Sequence, residues 1–175
     1  MAIKTIFLDR DGVINEEINY LYKIEDFKFI DGVFDTCKSF IKLGYRIIII
    51  TNQSGIARGL YNEKDYQVLT NWMLKKFELN GIQIFDTFYC PHLPSSNCSC
   101  RKPKPGMFMT AKKIHEIDFS QSWMIGDKET DIQAANAAGI FNTILLRSGH
   151  KIDEFNSRST HIVDSIKEAK RIIKK

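Results

Sequence analysis

The chain has 175 residues, the size of one domain, and a chain of that length buries roughly 70% of the surface its unfolded form exposes. With 43% apolar and 26% charged residues, 10 Gly and 4 Pro, the composition is that of a globular protein and excludes disordered, collagen-like and low-complexity classes. The formal net charge of +4 is scattered along the chain apart from Lys170, Arg171, Lys174 and Lys175, which favours a small anionic substrate over a nucleic-acid groove.

In chain order, short β-branched apolar runs alternate with longer amphipathic ones, without a linker or an internal repeat. The pattern predicts strands at 4–8, 46–50, 85–89, 123–125 and 143–146, with a sixth at 162–163. Helices are predicted at 33–43, 63–80, 107–117, 130–138 and 165–174. Gly44, Gly81 and Gly139 each follow a helical run, where a residue comfortable in the left-handed region ends a helix. The run Ile47-Ile48-Ile49-Ile50 is apolar on both faces, as a parallel strand covered by helices on two sides must be.

The expectation is therefore one α/β domain over residues 1–175: a doubly wound parallel sheet with helices on both faces. No separate cap domain is expected, because a helix and a strand already occupy much of the interval between Asp11 and Thr51. Cys37 reads as a small buried hydrophobe within the first helix, and Phe27, Phe29, Trp72, Phe108 and Trp123 read as packing residues. No apolar run approaches a membrane span, and the opening MAIKTIFLDRDG lacks the charged-then-apolar pattern of a secretory leader. A cytoplasmic monomer with no membrane partner is expected.

Ligands of open α/β sheets bind beyond the carboxyl ends of the strands. After the first predicted strand come Asp9 and Asp11; after the second, Thr51, Asn52, Gln53 and Ser54; after the fourth, Gly126, Asp127 and Lys128. Carboxylates, a hydroxyl and a lysine thus meet at one edge, a set suited to phosphate and metal chemistry. The string Asp9-Arg10-Asp11-Gly12 alone also makes an ordinary turn; its place after a strand is what points to chemistry. Asp9 and Asp11 are a like-charge pair that calls for a hard, oxygen-preferring cation such as Mg²⁺, with Asp127 completing its site. With Asp9 held ionised by the ion, Asp11 can point away and carry a proton. One carboxylate then attacks while the other serves as acid and base.

Enzymatic acceleration of phosphate monoester hydrolysis reaches about 10²¹-fold, whereas a single general acid supplies only about 10² to 10⁴. The chemistry therefore calls for a covalent aspartyl-phosphate, two in-line steps, and cations around the equatorial oxygens. Thr51 can donate to those oxygens, and Lys102 or Lys128 can neutralise them.

At this point the residues resemble the haloacid dehalogenase-like (HAD) phosphatase superfamily, whose four ordered motifs match Asp9 with Asp11, Thr51, Lys102, and Asp127 with Asp131. The resemblance implies that Asp9 is the nucleophile and Asp11 the proton donor. It also implies Mg²⁺ on Asp9, the backbone carbonyl of Asp11 and Asp127, with Asp131 supporting the loop. The segments FLDRDGVIN, FIDGV, TNQSGIARG, CRKPKPGM and IGDKETDIQAA are similar to the D-glycero-D-manno-heptose bisphosphate phosphatases. Those enzymes remove the 7-phosphate of a heptose 1,7-bisphosphate on the way to nucleotide-activated heptose. By this resemblance Glu17, Ile18, Asn19, Tyr20, Thr51, Asn52, Gln53 and Ser54 line the substrate pocket. Arg101 aids recognition, Lys102 stabilises the phosphoryl group and Lys128 contacts phosphate. Between His92 and Cys98 stand only the five residues LPSSN, as short as in the sister histidinol phosphatases, so histidinol phosphate is the second substrate expected.

Cys90, His92, Cys98 and Cys100 offer three thiolates and one imidazole, a ligand set for tetrahedral zinc. Four protein ligands leave no open position for water. The zinc is accordingly expected to be structural, pinning an inserted loop at 90–100 and aiming Arg101 and Lys102 at the phosphate edge. Residues 15–29 and this loop are left to supply specificity, which suits a small phosphorylated sugar. A zinc-loop module that binds nucleic acid is the alternative of a different class, but Asp9, Asp11 and Asp127 would repel a phosphate backbone. A phosphatase of polynucleotide ends would share the chemistry but needs a wider basic surface.

Overall fold

Residues whose side chains alternate between two apolar environments make a sheet with two buried faces, and the strands of this chain do so in a computed structural model that describes residues 2–174. In β1 (Thr5–Leu8), Ile6 and Leu8 face one core while Phe7 faces the other. In β2 (Arg46–Asn52), Ile47 and Ile49 join the first core, Ile48 and Ile50 the second. Each fully buried side chain of this kind stabilises the fold by about 1.5–3 kcal/mol, so the two-sided pattern fixes which helices lie where.

The remaining elements are α1 (Val33–Lys42), α2 (Glu63–Leu79), β3 (Asp86–Cys90), α3 (Gly106–His115), β4 (Trp123–Gly126), α4 (Glu129–Ala138), β5 (Asn142–Leu146), β6 (His161–Val163) and α5 (Ile166–Ile172). The first core is filled by Val33, Cys37 and Phe40 of α1, Leu69, Met73 and Phe77 of α2, and Ile166 and Ala169 of α5. The second takes Met107, Phe108 and Ala111 of α3 with Ala134 and Ala135 of α4. Asn62 opens α2 through a reciprocal cap: its Oδ1 accepts from the Asp65 amide at 2.9 Å, and Asp65 Oδ2 accepts from the Asn62 amide at 2.9 Å. Among the described residues, no helix is long and apolar enough to cross a membrane.

All six strands run parallel in the order β3-β2-β1-β4-β5-β6. The chain builds outward from β1 on one side, then returns and builds outward on the other, so the winding reverses between β1 and β4. Such a reversal opens a crevice at the carboxyl ends.

The doubly wound parallel sheet is the expected one, including its sixth strand. The borders differ where pairing rather than hydropathy decides them. β2 runs on to Asn52 because Thr51 and Asn52 pair with Tyr89 and Cys90 of β3, so these polar residues sit on the strand tip and not in the loop beyond it. Helix α3 ends early, at His115, where Glu116 takes a left-handed φ of 51°. Cys37 and Phe108 are buried, as expected.

Candidate active site

A cavity opens at the carboxyl ends of the central strands, lined by Asp9, Asp11, Thr51, Lys102 and Asp131 at its floor. Glu17, Ile18, Asn19 and Tyr20 line it from the loop after β1; Asn52, Gln53 and Ser54 from the end of β2; Arg101 and Lys128 from the opposite loops. Every residue expected to touch substrate is thus brought to one cavity. Asp127 lies beside it, fully buried.

Lys102 is the hub. Its Nζ lies 2.9 Å from Asp9 Oδ1 and 2.6 Å from Asp131 Oδ1, and donates to the Ile50 carbonyl at 2.9 Å. Burial alone would lower the Lys102 pKa, but Asp131 and Asp9 outweigh it and raise the value, so the ammonium stays charged. Its backbone is clamped by Asn52, whose Oδ1 accepts from the Lys102 amide and whose Nδ2 donates to the Lys102 carbonyl, both at 3.1 Å. Asn52 therefore reaches the cavity chiefly through Lys102.

Asp11 faces a different set of donors. Arg10, itself buried, reaches its carboxylate through Nε at 3.2 Å and Nη2 at 3.0 Å. Asn15 Nδ2 and Gln53 Nε2 each donate to it at 3.0 Å. Gln53 Nε2 also donates to Thr51 Oγ1 at 2.8 Å, leaving the hydroxyl hydrogen of Thr51 free to donate elsewhere. Tyr61 completes the chain by donating to Gln53 Oε1 at 2.5 Å. Burial pushes the Tyr61 phenol up to about 12, so it remains a donor near neutral pH.

Carboxylate oxygens of Asp9, Asp127 and Asp131 lie within 4.8 Å of one another, all three side chains buried. Burial, with Asp131 and Asp11 nearby, pushes Asp9 up to about 6 against the pull of Lys102. Burial, then Asp9 and Asp131, pushes Asp127 up to about 9. Asp127 Oδ1 is buried and has no hydrogen-bond partner. Three acids and one ammonium leave two negative charges unopposed, so the donor set fits a divalent cation held by Asp9 and Asp127. Asp11 lends no side-chain oxygen to this group.

The second cluster sits at the end of β3. Cys90 Sγ lies 3.4 Å from His92 Nδ1, 3.6 Å from Cys98 Sγ and 3.1 Å from Cys100 Sγ, and His92 Nδ1 lies 3.2 Å from Cys100 Sγ. A tetrahedral ion with metal–sulfur bonds of about 2.3 Å has sulfur–sulfur edges of about 3.8 Å; the four atoms stand somewhat closer than that, grouped tightly enough that they could hold one ion. Burial pushes the Cys90 thiol up to about 12, a cost that an ion would remove. The last ligand, Cys100, leads directly into Arg101 and Lys102.

Several contributors were not singled out in the sequence. Asp131, named in the sequence as a loop support, has a second contact: it accepts from the Asp127 and Lys128 amides at 3.2 and 3.1 Å and also pairs with Lys102. Arg58, Tyr61 and Thr130 line the cavity. His150 contacts Asp127 at 2.6 Å, and it follows the tip of β5, where the strand-end rule would have found it.

The raised acids carry a sign. An acid whose folded value lies above its unfolded value binds an extra proton in the folded state, and that stability is lost as pH rises. The ion-free protein is accordingly expected to melt at falling temperature from about pH 4 towards pH 9, the interval set by Asp9 and Asp127. The rise in melting temperature on adding a divalent cation should grow over the same interval. Calorimetry of wild type beside Asp127→Asn checks this, since the variant should flatten the dependence.

A family profile described as HAD-hydrolase-like matches residues 99–169. The chain is 50% identical over 159 residues to the D-glycero-alpha-D-manno-heptose-1,7-bisphosphate 7-phosphatase of Photorhabdus laumondii, covering 87% of each chain. It is 43% identical over 176 residues to the D-glycero-beta-D-manno-heptose-1,7-bisphosphate 7-phosphatase of Vibrio cholerae, covering 96% of this chain and 95% of that one. The crystal structure of D,D-heptose 1,7-bisphosphate phosphatase from B. bronchiseptica, complexed with magnesium and phosphate, superposes with a TM-score of 0.85 at 27% identity, covering 97% of each chain. With this fold, these acids at its switch point and relatives this similar over 87–95% of their length, the chain belongs to the heptose-1,7-bisphosphate 7-phosphatase family of HAD-like phosphoric monoester hydrolases.

Proposed function

We propose that this protein removes the 7-phosphate of D-glycero-D-manno-heptose 1,7-bisphosphate, with a preference for the α-anomer. The observation that carries the phosphatase chemistry is the buried Asp9–Lys102–Asp131 set beside Asp127. The anomer preference rests on the greater identity to the α-named relative, 50% against 43%. Two phosphates ask for cations at two places, and the cavity has Lys102 at its floor with Arg58, Arg101 and Lys128 around it.

Mg²⁺ held by Asp9, the Asp11 carbonyl and Asp127 supplies charge that keeps Asp9 ionised and opposes that of the phosphoryl oxygens. The Asp9 carboxylate attacks phosphorus, forming a P–O bond to Asp9 as the P–O bond to the sugar oxygen breaks. Asp11 gives its proton to that leaving oxygen. Lys102 and the Thr51 hydroxyl neutralise the equatorial oxygens as charge builds on them. Asp11 then takes a proton from water, which attacks phosphorus, frees inorganic phosphate and regenerates Asp9. Glu17, Ile18, Asn19 and Tyr20 hold the sugar, with Ser54, Arg58 and Arg101 around it. Cys90, His92, Cys98 and Cys100 would hold Zn²⁺, which would fix the loop that delivers Arg101 and Lys102. The chain acts as a single cytoplasmic domain on a small phosphorylated sugar.

Asp9→Asn should keep the fold and lower kcat by about 10⁴-fold or more, the scale on which loss of a nucleophile acts; phosphate release and circular dichroism together check this. Initial rates on the two anomers of the bisphosphate, beside histidinol phosphate, should rank α, then β, with histidinol phosphate last. Stripping zinc from the purified enzyme should expose Cys90, Cys98 and Cys100 to a thiol reagent and lower kcat/KM. Unchanged kcat/KM in protein shown to be zinc-free would separate the loop from catalysis.

A further inference from the structure

We propose that His150 is a positioning residue: it fixes which oxygen of Asp127 faces the divalent cation. The proposal rests on the reading of Asp127 as a cation ligand. The two oxygens of Asp127 stand in different surroundings. Oδ2 lies 2.6 Å from His150 Nδ1, while Oδ1 is buried with no partner. A carboxylate bound to a cation has no proton to give, so the hydrogen of this contact belongs to Nδ1 and the imidazole donates. Oδ2 is thereby occupied, and Oδ1 is the oxygen left for the ion.

The surrounding backbone leaves the carboxylate little room to turn. A Cβ at Gly12 or at Gly149 would overlap the Asp127 carboxylate. Ser148 Oγ donates to the Gly12 carbonyl at 3.4 Å, so the loop after β5 is tied to the loop after β1 at this point. The other ring nitrogen of His150, Nε2, lies 3.9 Å from Glu17 Oε1, and Glu17 Oε2 is buried without a partner. With its hydrogen on Nδ1 and 3.9 Å between Nε2 and Glu17, the imidazole bonds to Asp127 and only stands near the stretch assigned to the sugar.

Glu17, Asp127 and His150 also lie close enough, within 4.8 Å, to hold an ion among themselves. The short contact argues against it. Nitrogen and oxygen ligands bound at about 2.0–2.2 Å to one ion stand about 3 Å or more apart, whereas Nδ1 and Oδ2 are at hydrogen-bonding distance, 2.6 Å. His150 is placed as an outer partner that orients a ligand, a role whose loss typically costs about 10- to 100-fold in metal affinity.

Mn²⁺ titrated into the zinc-loaded full-length protein, with free ion counted by electron paramagnetic resonance, tests this without reference to turnover. His150→Ala should weaken Mn²⁺ binding about 10- to 100-fold with unchanged stoichiometry. His150→Asn, whose side-chain amide can stand where Nδ1 does, should recover most of the loss. kcat at saturating Mg²⁺ should fall less than affinity does. Unchanged affinity in His150→Ala, with the fold verified by circular dichroism, overturns the proposal. So does loss of a whole Mn²⁺ equivalent, which would make His150 a ligand. Should the alanine variant not fold, His150→Gln takes its place under the same criteria. Asp127→Asn serves as the reference: if it retains full Mn²⁺ affinity, the reading of Asp127 as a ligand fails, whereas failure of the His150 variants alone overturns only the positioning role.

Discussion

Burying Asp9, Asp127 and Asp131 together at the end of a parallel sheet would cost several kcal/mol per ion if nothing opposed their charge. Lys102 opposes part of it. The ammonium donates to a strand carbonyl and stands at ion-pair distance from two acids. The remaining imbalance is what gives the site its appetite for a divalent ion. Asp11 is paired with Arg10 and stands outside the three-acid group, although its charge still helps to push Asp9 up. Two acids separated by a single residue in the sequence therefore stand in different electrostatic surroundings, Asp9 against Lys102 and Asp131, Asp11 against the donors Arg10, Asn15 and Gln53.

The position of Lys102 depends on parts of the chain remote from it. Its backbone hangs on the Asn52 amide at the tip of β2, and the residues before it come out of the Cys/His loop. The loop otherwise has a short 3₁₀ turn at Pro94–Ser96 and a few ties, Arg101 Nη1 donating to the His92 carbonyl and Lys104 Nζ to Asn97. A metal there would fix the approach of Lys102 with no contact to substrate of its own. Strand pairing does the same from the other side, since Asn52 stands opposite Cys90 in the sheet.

The strands were readable because the central ones are apolar on both faces and bounded by punctuation, and such runs in alternation with helices mark a parallel α/β sheet. The acids at the strand tips were readable for the same reason: a charge immediately after a buried run has to have a purpose. Asp131 was harder to see in full. As the third residue of α4 it looks like a helix-capping acid, and half of it is one; only the three-dimensional return of Lys102 shows the other half. Tyr61 and Arg58 lie several residues beyond the end of β2, where no period or strand end marks them, and they come to the cavity through the turn that begins at Ser54. His150 was within reach of the strand-end rule, applied to β5 as it had been to β1, β2 and β4.

Gly12 and Gly149 flank the same carboxylate from loops at opposite ends of the chain. Any side chain at either position would evict Asp127, so the two loops must change in concert or keep their shape. The stretch from Glu17 to Tyr20, by contrast, reaches the cavity from the outside, with Ile18 and Tyr20 exposed. Evolution can thus revise which sugar is welcomed while the ion pocket stays frozen, and divergence within such a lineage should concentrate on that rim.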